Sequence, residues 1–220
     1  MSAQPHSALP PSMPRSAAVS GVLFALLYGA ALLMVRLAVP GAITERGVWL
    51  ARDASTLALA LHLLAYAGIA FLWFMGVVRT HIGAREDRFL STVYTGSGFL
   101  FLAMTFAAAA ATAALLGAYA ELGESIYGSG IYAFGSRVAF EFANVYAVRM
   151  AGVFMISLST LGLRSGTIPR ALAFASFAIA AVLLLSIAQT RWVALLFPLW
   201  VLGFSLYLLR HRPPAAAAAA

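Results

Sequence analysis

Residues 54–78 read ASTLALALHLLAYAGIAFLWFMGVV, a run without a single Asp, Glu, Lys or Arg. At 1.5 Å per residue a helix of about 20 such residues spans the hydrocarbon of a bilayer, so this stretch is long enough to cross it. Its apolar residues follow neither the two-residue period of a strand nor one stripe of a helix. A helix that is apolar all round has lipid or protein on every side. The stretch therefore predicts a membrane-spanning helix.

The rest of the chain repeats the pattern. Of the 220 residues 63% are hydrophobic and 10% charged, whereas an ordinary soluble domain has about 45–50% and about 25%. A water-soluble fold of this size has too little interior to hide so much apolar surface. Further long apolar runs occupy residues 18–39, 89–117, 138–163, 171–188 and 192–209. Together they predict an all-α fold: a polytopic transmembrane bundle of six helices spanning residues 18–210, flanked by a Pro-rich tail at 1–17 and a low-complexity tail at 211–220. The first run exceeds the apolar core of a secretory signal and is followed by Val39 and Pro40, a poor cleavage context, which predicts a retained helix. Between the runs, Gly and Pro mark turns at 79–88 and 164–170. Gly123, Gly128, Gly130 and Gly135 with three tyrosines make 118–136 read as an interfacial loop.

The net charge is +7, carried entirely by Arg. These residues lie in short clusters between apolar runs, so the charge reads as membrane topology and nucleic acid is not an expected partner. With the N-terminus inside, the cytoplasmic segments hold Arg15, Arg79, Arg85, Arg88, Arg164, Arg170, Arg210 and Arg212. The opposite side holds Arg36, Arg46, Arg52, Arg137 and Arg191. Cytoplasmic loops of membrane proteins carry the excess of basic residues, which predicts both termini in the cytoplasm of a multi-pass bacterial plasma-membrane protein. The absence of Cys excludes disulfides, thiolate metal sites and cysteine nucleophiles.

Candidate chemistry concentrates in the fourth run. Glu141, Asn144 and Arg149 interrupt it, and on a regular helix Asn144 lies about 60° to one side of Glu141 and Arg149 about 80° to the other. That broad face is expected to look into the bundle. A charge at the centre of a spanning helix costs about 2.5–3.5 kcal/mol on insertion scales, so Arg149 needs a partner. One reading has it bonded to backbone carbonyls, Asn144 or Tyr146, or snorkelling; the other has it binding a carboxylate or a headgroup phosphate. His62 falls within the second run and is either a packed, hydrogen-bonded residue or a proton carrier for a carboxylate. Gly96-Ser97-Gly98 matches half of a serine-nucleophile motif, but small residues in membrane helices mostly serve close packing. No cofactor motif, phosphate loop or metal motif is present, and no nucleophile and base pair can be named for an enzyme.

The segments FLWFMGVVRTHIGAREDRF (71–89), YTGSGFLF (94–101), YAVRM (146–150) and LRSGTIPR (163–170) resemble a group of actinobacterial membrane proteins of unknown function. The resemblance implies a six-helix membrane fold over about 18–210 and supplies no activity. Two functional expectations stand side by side. The protein binds or transports a small or amphipathic anion, or an anionic lipid, through Arg149, Glu141, Asn144 and His62; or it is a non-catalytic membrane scaffold or partner subunit in which those residues hold helices together.

Overall fold

The computed structural model describes residues 15–39, 48–82, 88–186 and 192–210. Among them the secondary structure is helical throughout, with no strand. The elements are α1 (Arg15–Ala38), α2 (Val48–Arg52), α3 (Ala54–Ile82), α4 (Arg88–Leu122), a 3₁₀ turn (Gly123–Gly128), α5 (Gly130–Glu141), a π turn (Phe142–Tyr146), α6 (Ala147–Arg164), α7 (Arg170–Leu185), a second 3₁₀ turn (Val193–Leu195) and α8 (Leu196–Arg210). Five helical stretches are long and apolar enough to cross a membrane: Ala18–Ala38, Ala54–Arg79, Arg88–Gly128, Gly130–Arg164 and Val193–Arg210. The expected tail at 1–14, the Glu45–Arg46 loop, Arg85, Arg191 and the C-terminal tail at 211–220 lie outside the described residues.

Each of the five long stretches sends one phenylalanine to the centre. Phe24 of α1, Phe71 of α3, Phe101 of α4, Phe154 of α6 and Phe197 of α8 are all at most 2% exposed. Ring centroids stand 4.8 Å apart for Phe24 and Phe71, 5.1 Å for Phe71 and Phe154, and 4.7 Å for Phe101 and Phe197. Most of these rings meet tilted or edge-on, the arrangement their quadrupoles favour. In lipid the apolar surface of one helix gains little by leaving the solvent, so dispersion and close fit hold helices together. The interlocked rings supply that fit.

Small residues bring the helix pairs close. A Cβ on Gly98 would lie 2.5 Å from Met75 Cε and 3.2 Å from Phe154, and one on Gly152 would lie 3.2 Å from the Ala180 carbonyl oxygen of α7. Ser97, beside Gly98, is buried and donates to the Val93 carbonyl at 2.6 Å. It packs a helix and faces no base. Within the core, Trp200 Nε1 donates to Ser176 Oγ at 2.7 Å and ties α8 to α7. At 16 residues α7 is shorter than any of the five membrane-length stretches.

Residues 118–136, expected as a loop, are almost wholly helical. With 35 residues, α4 would rise about 52 Å, beyond the 40–45 Å of a whole bilayer. Its last turns therefore extend past the hydrocarbon before the chain reverses. Gly123 makes the reversal at φ +56°, a conformation glycine adopts without penalty. Gly135 has a different role: a Cβ there would meet Leu115 Cδ2 at 2.7 Å, so it lets α5 lie against α4. At this end Tyr119 stacks on Tyr127, with centroids 5.9 Å apart, and Tyr127 meets Tyr132 edge-on at 6.3 Å.

Candidate functional site

Between the α1–α3 pair and the α4–α5 pair lies a cavity of about 270 Å³. Its wall is mostly apolar, from Leu32, Leu61, Leu64, Ala108, Leu115 and Phe140 among others. Arg36 is the only charged side chain among the described residues that line it. It lies two residues before the end of α1, where a long side chain can keep its head near the interface. The Arg36 Nη2 donates to Asn144 Oδ1, joining α1 to the π turn.

Asn144 reaches the cavity on the helical stripe of Ser136, Ala139, Phe140 and Ala143, and it lies within the π turn. The turn's backbone N–H at Ala147 bonds the Phe142 carbonyl, five residues back, which accommodates one extra residue in the turn. Everything beyond it is rotated by about one residue, roughly 100°, relative to a continuous α-helix. Asn144 Nδ2 also donates to the Phe140 carbonyl at 3.0 Å, so both ends of its amide are engaged.

The outer end of the cavity is bounded by Trp49 of α2 and Val39. Trp49 is 5% exposed and donates from Nε1 to the Tyr132 hydroxyl at 3.1 Å. The short α2 is held there by Leu50, packed in one cluster with Ala38, Leu57 and Leu115. The inner end is formed by Tyr28 and Thr105, 6% exposed each. Thr112, higher on α4, spends its hydroxyl on the Ala108 carbonyl at 2.9 Å, as helical threonines commonly do. Thr105 does not: its Oγ1 is buried, takes no backbone carbonyl and has the Tyr28 hydroxyl as its hydrogen-bonding neighbour.

Of the four residues expected to form one inward cluster, the structure brings only Asn144 to this cavity. Arg149 is half-buried and turns its guanidinium to its own helix, donating from Nη1 to the Val145 carbonyl at 3.0 Å. Glu141 faces Arg137 at 3.9 Å in a substantially exposed i, i+4 pair. His62 is exposed, with Nδ1 2.7 Å from the Ala58 carbonyl. The sequence reading missed Arg36, Tyr28 and Thr105. Arg36 had a visible signal, since it stands inside the first apolar run and not after it. No group of three His, Asp or Glu among the described residues is placed to hold a metal ion.

Fold and cavity together define a class: a protein whose described residues are helical, with five membrane-length apolar stretches and, between the α1–α3 and α4–α5 pairs, an apolar pocket that has a cationic end. No family model, curated protein or solved structure matches the chain.

Proposed function

We propose that this protein is a six-span membrane protein of the bacterial plasma membrane that binds, and in doing so carries or presents, a small amphipathic anion. The observation that supports it is the cavity with a guanidinium at one end and an apolar wall. The apolar part of an amphiphile gains contacts along Leu32, Leu61 and Leu64, and an acid group gains a charge-assisted bond to Arg36. The anion site expected at Arg149 thus moves to Arg36, with Asn144 retained as the residue that orients the guanidinium. We place α7 as the sixth span. Its 16 residues rise about 24 Å, and the flanking turn brings it close to the roughly 30 Å of hydrocarbon. An even number of spans puts both termini on one side, and the Arg distribution favours the cytoplasm. Membership of the actinobacterial group named above is part of the same proposal.

The size of the cavity bounds the occupant. An engineered cavity of about 150 Å³ holds benzene, six carbons, so about 270 Å³ suits on the order of ten non-hydrogen atoms. Octanoate is a probe of that size. Isothermal titration of the purified protein in detergent or nanodiscs is expected to show saturable octanoate binding, weakened at least tenfold in Arg36→Gln while octanol affinity changes little. Equal octanoate affinity in parent and variant refutes the reading.

A further inference from the structure

The cavity has a second polar pole, and it points to the kind of amphiphile bound. Tyr28 and Arg36 both line the cavity from α1, eight residues and therefore about 12 Å apart along the helix axis. Opposite Tyr28, α4 presents Thr105, whose buried Oγ1 has the Tyr28 hydroxyl as its hydrogen-bonding neighbour. The carbonyl four residues back serves Thr112, Ser157 and Ser176 but not Thr105. The pole therefore has two hydroxyls whose one mutual bond leaves a donor and several lone pairs over, at the end of an otherwise apolar chamber. A plain fatty acid would bring a methyl group there and leave that capacity unserved, which is costly in a buried site.

We infer that the occupant is a doubly polar, single-chain amphiphile: an acid group at Arg36 and, at the far end of a medium-length chain, a hydroxyl or carbonyl oxygen that bonds Thr105. The inference rests on the reading of Arg36 as an anion site. The chain between the two poles runs past Leu32 and Leu64 on one side and Ala108 on the other. An eight-carbon ω-hydroxy acid, extended, comes close to the roughly 12 Å that separates Arg36 from Tyr28 along α1, and its size matches the volume. The same geometry disfavours a phospholipid: the chamber takes one short chain whose tip is polar, and an acyl tail ends in a methyl group.

The test compares 8-hydroxyoctanoate with octanoate on the intact protein by isothermal titration, with Thr105→Val, Thr105→Ser and Arg36→Gln measured alongside and their melting in detergent checked. The parent is expected to prefer the hydroxy acid by about three- to tenfold, the range that one net hydrogen bond gives. Thr105→Val, which keeps the shape and removes the hydroxyl, should reduce that ratio to near one by weakening the hydroxy acid relative to octanoate. Thr105→Ser should retain the preference, and Arg36→Gln should weaken both ligands together. A parent ratio near one, with octanoate still dependent on Arg36, overturns this inference and leaves the anion site standing; it would mean that Tyr28 or water serves Thr105 as well as the ligand does. Octanoate affinity indifferent to Arg36 removes the anion site itself. Because the preference is read first on the parent, the inference stays refutable even if a variant fails to fold.

Discussion

Filling the cavity separates binding from folding. Ala108 lines it from α4, and Ala108→Phe adds six carbons, the content of the roughly 150 Å³ that benzene occupies in an engineered cavity. More than half of the 270 Å³ would be consumed. Residual cavity volume costs about 24 cal/mol per Å³ in a packed core, so filling 150 Å³ contributes up to about 3.6 kcal/mol. That figure is a ceiling, since the Arg36 end is polar and a polar space is less costly to leave open than a dry apolar one. Against it stands the cost of seating a ring in a shape not made for it, typically about 1–3 kcal/mol. The two effects nearly offset, so the variant is expected to fold and to melt in detergent within a few degrees of the parent. Octanoate binding, by contrast, is expected to be lost, because the remaining volume holds only about half the ligand. The assays are a detergent melting curve and isothermal titration on the same preparation. A variant that melts like the parent and still binds octanoate with parental affinity would show that the acid does not enter this cavity.

Three other outcomes follow from particular contacts. Gly152→Leu forces α6 away from α7, because even its Cβ would press on the Ala180 carbonyl; a loss of about 1–3 kcal/mol should appear as a lower melting temperature, whereas Gly96→Ala, with nothing within 4 Å, should leave it unchanged or raised. Arg149→Met removes only a bond to its own helix, so stability and octanoate affinity should both hold, and a collapse of either would return Arg149 to the functional centre. The native chain has no cysteine, so single-cysteine variants report topology directly. Ser125→Cys should react with an impermeant maleimide on intact cells and Ser165→Cys only after permeabilisation; both positions are exposed, and the reverse pattern would invert the proposed orientation.

What the sequence determined by itself was the kind of fold and the approximate extent of its helices. Long uncharged runs have one low-energy state in lipid, because every backbone polar group must be satisfied within the segment, and composition alone enforces that. Hence residues 54–78 were legible as helix without any tertiary information. The helical hairpin at 118–136 was not legible. Its glycines look alike in sequence, yet Gly123 is there for a positive φ and Gly135 for the approach of Leu115, and only packing distinguishes the two reasons. The candidate site depended on tertiary structure still more. A regular helix puts Glu141, Asn144 and Arg149 on one face, and the residue inserted by the π turn keeps Arg149 near it, yet only Asn144 lines the cavity, because Arg149 turns its guanidinium to the Val145 carbonyl and Glu141 faces Arg137. Arg36 and Asn144 are 108 positions apart in the chain. Their meeting is set by which helices pack against which, a choice made by interlocking phenylalanines and small residues that local periodicity does not encode.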